Sequence, residues 1–285
     1  MAFDCITPGD AAWPPLLSLI PDAPKRLFYR GDLSVLARPA VAVVGSRRST
    51  EYGRWAAYTI AKRLSEYGVC VVSGMASGID TWAHKGCLAE KSPTVAVFGC
   101  GLDICYPGSN RALMRDIAAK GLLLSEYEEG MHPTRFTFPQ RNRIISGLSF
   151  ATIVVEAGFS SGSLITAEFA AGQGREVYAV PGNINRMGSI GCNKLIADGA
   201  RPIVFIDDVL ADLGLKADPR VRLGAELTAD ERRVAGIVSA NGEISYDRLA
   251  AEAGLSIGAL TSLVTTLEMK GAVHTAAGKV FLSGR

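Results

Sequence analysis

From Pro39 onward, short runs that are apolar at nearly every position alternate with longer stretches whose apolar residues recur every three or four positions. The continuous runs are Val41–Gly45, Val69–Ser73, Thr94–Gly99, Leu122–Ser125, Thr152–Glu156, Glu176–Val180 and Pro202–Ile206. The helically spaced stretches lie near Glu51–Tyr67, Ile79–Glu90, Asn110–Lys120, Gln140–Leu148, Leu164–Gly172 and Gly191–Asp198. A strand without a polar face has no side to turn to water. The pattern therefore predicts a parallel sheet covered by helices on both faces, wound with right-handed crossovers. The expected fold class is α/β, a Rossmann-like mostly parallel sheet over residues 37–215. Residues 1–36, with Trp13-Pro14-Pro15-Leu16-Leu17 and further prolines but little period, read as an apolar strap packed on that domain.

The alternation stops near Lys216, and residues 216–225 read as a linker. Residues 226–285 follow a different pattern. Thr228 and Glu231 form a capping box that opens one helix. Tyr246–Ala253 forms a second, ending at Gly254, and Ser256 caps a third that carries Leu260, Leu263, Val264 and Leu267 on one face. Ala272–Thr275 and Lys279–Ser283 read as a hairpin around Gly278. Three short helices and a hairpin predict a small C-terminal winged-helix domain with its joint at Gly254-Leu255-Ser256.

Composition narrows the function. The 285 residues are 48% hydrophobic and 20% charged, with a net charge of only +2, so any nucleic-acid binding must come from a local patch. From Arg222 to Arg285 seven Lys and Arg balance seven Asp and Glu, which suits a protein-interaction or auxiliary DNA role better than major-groove reading. Cys5, Cys70, Cys87, Cys100, Cys105 and Cys192 form no Cys-x-x-Cys, and His84, His132 and His274 are far apart, so neither disulfides nor a metal site is expected. No signal pattern or membrane-length apolar run is present, and a cytoplasmic protein is expected.

The candidate chemistry gathers where the predicted strands end. Gly45-Ser46-Arg47 closes the first strand. Gly permits close backbone approach, Ser offers a hydroxyl, Arg offers a fork of donors matched to phosphate, and the next helix adds its positive N-terminus. The second strand ends in Ser73-Gly74-Met75-Ala76-Ser77-Gly78, and the fifth in Glu156-Ala157-Gly158-Phe159-Ser160-Ser161-Gly162-Ser163, so small polar residues collect on one edge. There is no Gly-x-Gly-x-x-Gly and no Walker lysine loop, so no nucleotide cofactor is expected. In Arg135–Ile145 two aromatic residues, Phe136 and Phe138, interleave with Arg135, Arg141, Asn142 and Arg143, a mix that suits single-stranded nucleic acid. Arg141 and Arg143 fall near a helix N-terminus, where a bound anion or a carboxylate such as Glu126 or Glu156 must offset their charge. Asp80 and His84, four residues apart, can meet on one helix. No nucleophile with a partner base is visible, and Ser161 and Ser163 lack a nucleophile elbow, so an enzyme is not expected.

Taken in order, Val41–Arg47, Ser73–Asp80 with His84, Val97–Pro107, Leu124–Glu126, Phe138–Leu148, Val155–Ala167, Val180–Gly182 and Gly191–Ala200 resemble the DNA-processing protein A family, DprA or Smf. The resemblance spans nearly the whole chain. It implies single-stranded DNA binding, loading of the recombinase RecA, protection of incoming strands in natural transformation, and a homodimer built through the Rossmann-like domain. The family's phosphate contacts carry over to Gly45, Ser46, Arg47, Ser73, Gly74, Ser77, Gly78, Arg141, Asn142 and Arg143. Phe136 and Phe138 are expected to stack on bases. Many members carry an extra helical N-terminal domain, whereas this chain starts almost at the strap. Two other readings compete. Glu156–Glu168 resembles the signature of nucleoside-monophosphate phosphoribohydrolases, though Glu156-Ala157 replaces Pro-Gly and Ile165 stands where Gly is expected. A winged-helix transcription regulator is the other.

Overall fold

Strand Ala40–Val44 is buried at all five positions, and so are Cys70–Ser73, Thr94–Phe98, Leu122–Ser125 and Ala151–Val154. The computed structural model describes residues 3–214, 227–269, 272–276 and 278–282. The chain separates into two compact units, Met1–Leu215 and Lys216–Arg285.

In the first unit the strands are β1 (Asp4–Ile6), β2 (Leu27–Gly31), β3 (Ala40–Val44), β4 (Cys70–Ser73), β5 (Thr94–Phe98), β6 (Leu122–Ser125), β7 (Ala151–Val154), β8 (Glu176–Ala179) and β9 (Arg201–Pro202). The helices are α1 (Glu51–Glu66), α2 (Ile79–Ala89), α3 (Arg111–Lys120), α4 (Thr137–Gly147), α5 (Gly162–Gly172), α6 (Ile190–Ala197) and α7 (Ile206–Asp212). One sheet runs β1-β2-β6-β5-β4-β3-β7-β8-β9. β3 to β9 are parallel, while β2 lies antiparallel to both β6 and β1. Alternate residues of each strand feed opposite faces. Ala42, Val44, Val72 and Val97 pack with Leu17, Ile144 and Cys192 on one face. Val41, Val43, Val71 and Ile153 pack with Ala57, Leu64, Ile79 and Val209 on the other. This is the Rossmann-like sheet with helices on both faces. From β3 the order builds toward β4 on one side and restarts with β7 on the other. A ligand crevice therefore belongs at the carboxyl ends of β3 and β7.

Two elements depart from the sequence reading. The N-terminal strap also supplies β1 and β2, which extend the sheet by antiparallel pairing. Trp13, Leu17 and Ile20 are buried in the core as a strap would be. The last strand is only two residues long, and Ile206 begins a helix instead. Asp207 and Asp208 lie in that helix's first turn, where carboxylates are favoured, and Asp207 also binds Arg63 at 3.0 Å.

The second unit contains α8 (Ala229–Asn241), β10 (Glu243–Ser245), α9 (Tyr246–Ala253), α10 (Ile257–Met269), β11 (Val273–Ala276) and β12 (Lys279–Leu282). Its antiparallel sheet runs β10-β12-β11. Thr228 and Glu231 form both bonds of the capping box, and Gly254 ends α9 in the left-handed region at φ 65°. Val234, Leu249, Leu260, Val264 and Val280 belong to a separate core. The unit is a winged helix. The expected linker at 216–225 lies outside the described residues.

Candidate nucleic-acid interface

The turn after β3 is clamped from both sides. Ser46 N donates to the Glu156 carbonyl at 2.6 Å, and Ile79 N donates to the Ser46 carbonyl at 3.1 Å. A side chain on Gly45 would come within 2.6 Å of Ile79 Cγ1 and 2.9 Å of the Glu156 carbonyl oxygen. Gly78 has φ +79°, and a Cβ there would run into the carbonyl of Ser46. These glycines serve close packing of β3, β7 and α2. Ser46 Oγ accepts from Arg48 N at 3.1 Å, which folds the turn so that Arg47 and Arg48 stand exposed.

The N-terminus of α1 is capped within the chain. Thr50 Oγ1 accepts from Gly53 N at 3.1 Å, and Glu156 Oε2 accepts from Thr50 N at 2.9 Å. Glu156, only 8% exposed, already supplies the negative charge that the helix end favours.

Helix α4 forms the facing wall. The Arg47 guanidinium lies 4.8 Å from the centroid of the half-buried Phe138 ring, which itself packs 5.4 Å from Tyr106. Arg141 is 4% exposed and its guanidinium carbon is 6.0 Å from the same ring. Arg141 Nη1 donates to the Gly74 carbonyl at 2.6 Å and to the Val97 carbonyl. Asp80 Oδ2 accepts from Gly74 N at 3.1 Å and Ala76 N at 3.2 Å. Burial lowers the Arg141 pKa to about 10, with Asp80 resisting the shift, and burial raises that of Asp80, with Arg141 resisting. At neutral pH Arg141 remains a cation in the groove floor. Asn142 Nδ2 donates to the Gly162 carbonyl at 3.3 Å, and Ser161 and Ser163 share a hydroxyl hydrogen bond of 2.8 Å at the start of α5. The resulting groove, about 860 Å³, is lined by Arg47, Arg48, Phe138, Arg141, Asn142 and Ser161 among others. It can hold a polyanion through exposed guanidinium groups while offering one aromatic face.

The structure brings Gly45, Ser46, Arg47, Phe138, Arg141 and Asn142 to this groove. Ser77 is exposed and Gly78 half-buried on the turn before α2. Ser73 and Gly74 lie beneath it: Ser73 is fully buried and its hydroxyl donates to the Val43 carbonyl at 2.7 Å. Arg143 points elsewhere. Its Nη2 bonds both Glu126 carboxylate oxygens at 2.8 and 2.9 Å, beside a separate cavity with Lys25, Arg26 and Gln140. Phe136 is 66% exposed beneath Arg135 but does not line the groove. Asp80 and His84 do not act as a pair, since Asp80 holds backbone amides and buried His84 Nδ1 sits 2.8 Å from Thr94 Oγ1. Sequence reasoning did not assign Arg48, although its neighbour in a tight turn was the signal for it. Among the described residues no cluster of His, Cys, Asp or Glu could hold a metal, and no single helix is long and apolar enough to cross a membrane.

Comparison with known proteins decides the family. Residues 4–214 match the family model of DNA recombination-mediator protein A, and residues 217–279 match that of the DprA winged helix domain. The chain belongs to the DprA family. It is 47% identical over 203 residues to DNA processing protein DprA of Streptococcus pneumoniae, covering 71% of this chain and 72% of the relative. The X-ray structure of that protein aligns with a TM-score of 0.71 at 45% identity, over 74% of each chain. Protein Smf of Synechocystis is 45% identical over 214 residues, covering 73% of this chain and 54% of the relative, so the match spans about half of that protein. A structure of DNA processing protein A from Helicobacter pylori, concerned with its single-stranded DNA binding mode, aligns with a TM-score of 0.67 at 33% identity. It covers 74% of this chain and 96% of that one.

Proposed function

We propose that the edge formed by β3 and β7 grips the sugar-phosphate chain of single-stranded DNA, and that the protein is a recombination mediator rather than an enzyme. Arg47 carries the reading. It is exposed at the switch point of the sheet with its guanidinium over Phe138, an arrangement that leaves donors free at the groove for phosphate. Arg48 and Arg135 add charge along the same groove. Gly45, Ser46, Ser77, Gly78 and Asn142 shape or face the path, Phe138 offers a ring to a base, and Phe136 extends that role outward. Ser73, Gly74 and Arg143 support the walls.

In this reading residues 37–215 bind the strand, 1–36 brace that domain, and 226–285 form the winged helix beyond a linker at 216–225. The role its family implies follows: loading RecA on the bound strand and protecting incoming DNA in natural transformation, as a cytoplasmic homodimer joined through the Rossmann-like domain. Family membership supports the recombination-mediator role, and the single-stranded DNA binding mode of the Helicobacter pylori relative supports the binding step alone.

Fluorescence anisotropy tests the groove. Oligo-dT should bind tightly and without sequence preference, and duplex more weakly. The log–log salt slope should be about −0.7 per phosphate neutralised. Arg47→Ala should weaken every sequence alike and flatten that slope; unchanged affinity and slope would remove the groove from consideration. Release of free base from AMP would instead make the chain a hydrolase. A shortened lag in RecA filament assembly on single strands tests the loading step.

A further inference from the structure

The groove leaves a second feature unexplained. On the first turns of α1, Tyr52 and Trp55 stand three residues apart on one face, with ring centroids 5.9 Å apart. They are 55% and 62% exposed, while Ala56, Ala57, Ile60, Ala61 and Leu64 carry the buried face of the helix. The two rings add little to the core, and large aromatic side chains paired in solvent mark a binding surface.

Their position ties them to the groove. Arg48, which lines it, stands just before the Thr50 cap of α1. Gly53, between the two aromatic residues, packs against the Glu156 carboxylate, and so does Gly188, which lines the groove together with Met187. The first turn of α1 is thus one rim of the groove's exit. The exposed charges beside this rim include Arg47, Arg48 and Arg186 against Glu51, a cationic excess that favours a polyanion.

We propose that Tyr52 and Trp55 form a base-stacking platform for single-stranded DNA that leaves the groove past Arg48. The inference rests on the reading of the groove as a single-strand site. Only unpaired bases have faces free to lie on such rings, and stacking of this kind tolerates any sequence.

The full chain and a series of oligo-dT of graded length test it, read by anisotropy and tryptophan emission. Short oligomers should bind the double variant Tyr52→Ala/Trp55→Ala as they bind the unaltered protein. Beyond a threshold length the unaltered protein should gain affinity and lose tryptophan emission, and the double variant should bind about tenfold more weakly. Trp55→Phe should keep the gain in affinity while losing most of the quenching, since Trp13 is buried and Trp82 only partly exposed. If the double variant keeps the whole gain, the platform is wrong. It is equally wrong if light scattering shows the double variant losing self-association with its affinity per protomer intact, because the rings then join two copies of the chain. Arg47→Ala should fail at every length; if it binds normally, the groove reading itself falls.

Discussion

Three arginines in one neighbourhood do three different jobs, and their hydrogen bonds tell them apart. Arg47 has its guanidinium over a ring and is open to solvent, Arg141 is spent on two backbone carbonyls, and Arg143 turns its Nη2 to the Glu126 carboxylate. Arg143→Ala would leave the partly buried Glu126 carboxylate without its partner. It should cost about 1–3 kcal/mol in denaturant unfolding, with oligo-dT affinity of the folded protein nearly unchanged. The sequence could place all three in plausible reach of an anion. It could not rank them, because the ranking depends on carbonyls and carboxylates contributed by distant strands. His84 shows the same limit. Thr94 Oγ1 donates its only proton to the Val71 carbonyl at 2.6 Å, so His84 Nδ1 must be the donor to Thr94, and the buried Nε2 is bare. Burial, aided by the Arg141 charge, lowers the His84 pKa from 6.5 to about 3. Between those values the unfolded chain binds a proton that the folded one refuses. The contribution is complete above 6.5 and is lost as pH falls, by up to about 1.4 kcal/mol per pH unit. The raised pKa of Asp80 acts in the opposite sense. The steepness owed to His84 is therefore read as the difference between the urea midpoints of the protein and of His84→Gln, followed from about pH 6.5 down to about 4. The variant should show the flatter profile.

At the scale of elements, what the sequence disclosed is what burial writes into every residue. The five strands buried throughout are visible as unbroken apolar runs, and the helices between them as spaced ones. β1 and β2 escape that logic. They are three and five residues long and partly exposed, and their pairing is set by β6 rather than by any period of their own. The start of α1 also escapes it. Thr50 as a cap is legible locally, whereas the carboxylate that completes the cap comes from Glu156, just beyond β7. Glu156→Gln should keep the shape but weaken the bond to Thr50 N and remove the charge that faces the helix dipole. A loss of about 1–2 kcal/mol in thermal or urea unfolding is expected, with oligo-dT binding retained.

At the scale of the molecule, charge is local and unevenly shared between the two units. The first unit concentrates exposed arginines at one edge of its sheet. The winged helix has the shape of a duplex reader without the charge of one. On α10, the helix that would enter a groove, the exposed positions Ile257, Gly258, Ala259, Thr261, Ser262 and Thr265 carry no charge. Glu268, its acidic residue, is bound to Thr275 N and Oγ1 within the same unit. A domain that neutralises few phosphates adds little to the salt-dependent part of affinity. Each unit has its own hydrophobic core, so removing one need not unfold the other. Ending the chain after Leu223 should therefore leave most of the affinity for oligo-dT and nearly all of its salt slope, measured by anisotropy against the full chain. If the shortened protein stays folded by circular dichroism yet its affinity collapses and its slope flattens, the winged helix contributes phosphate contacts that its side chains give no reason to expect. The grip would then have to be shared between the two units rather than held at β3 and β7.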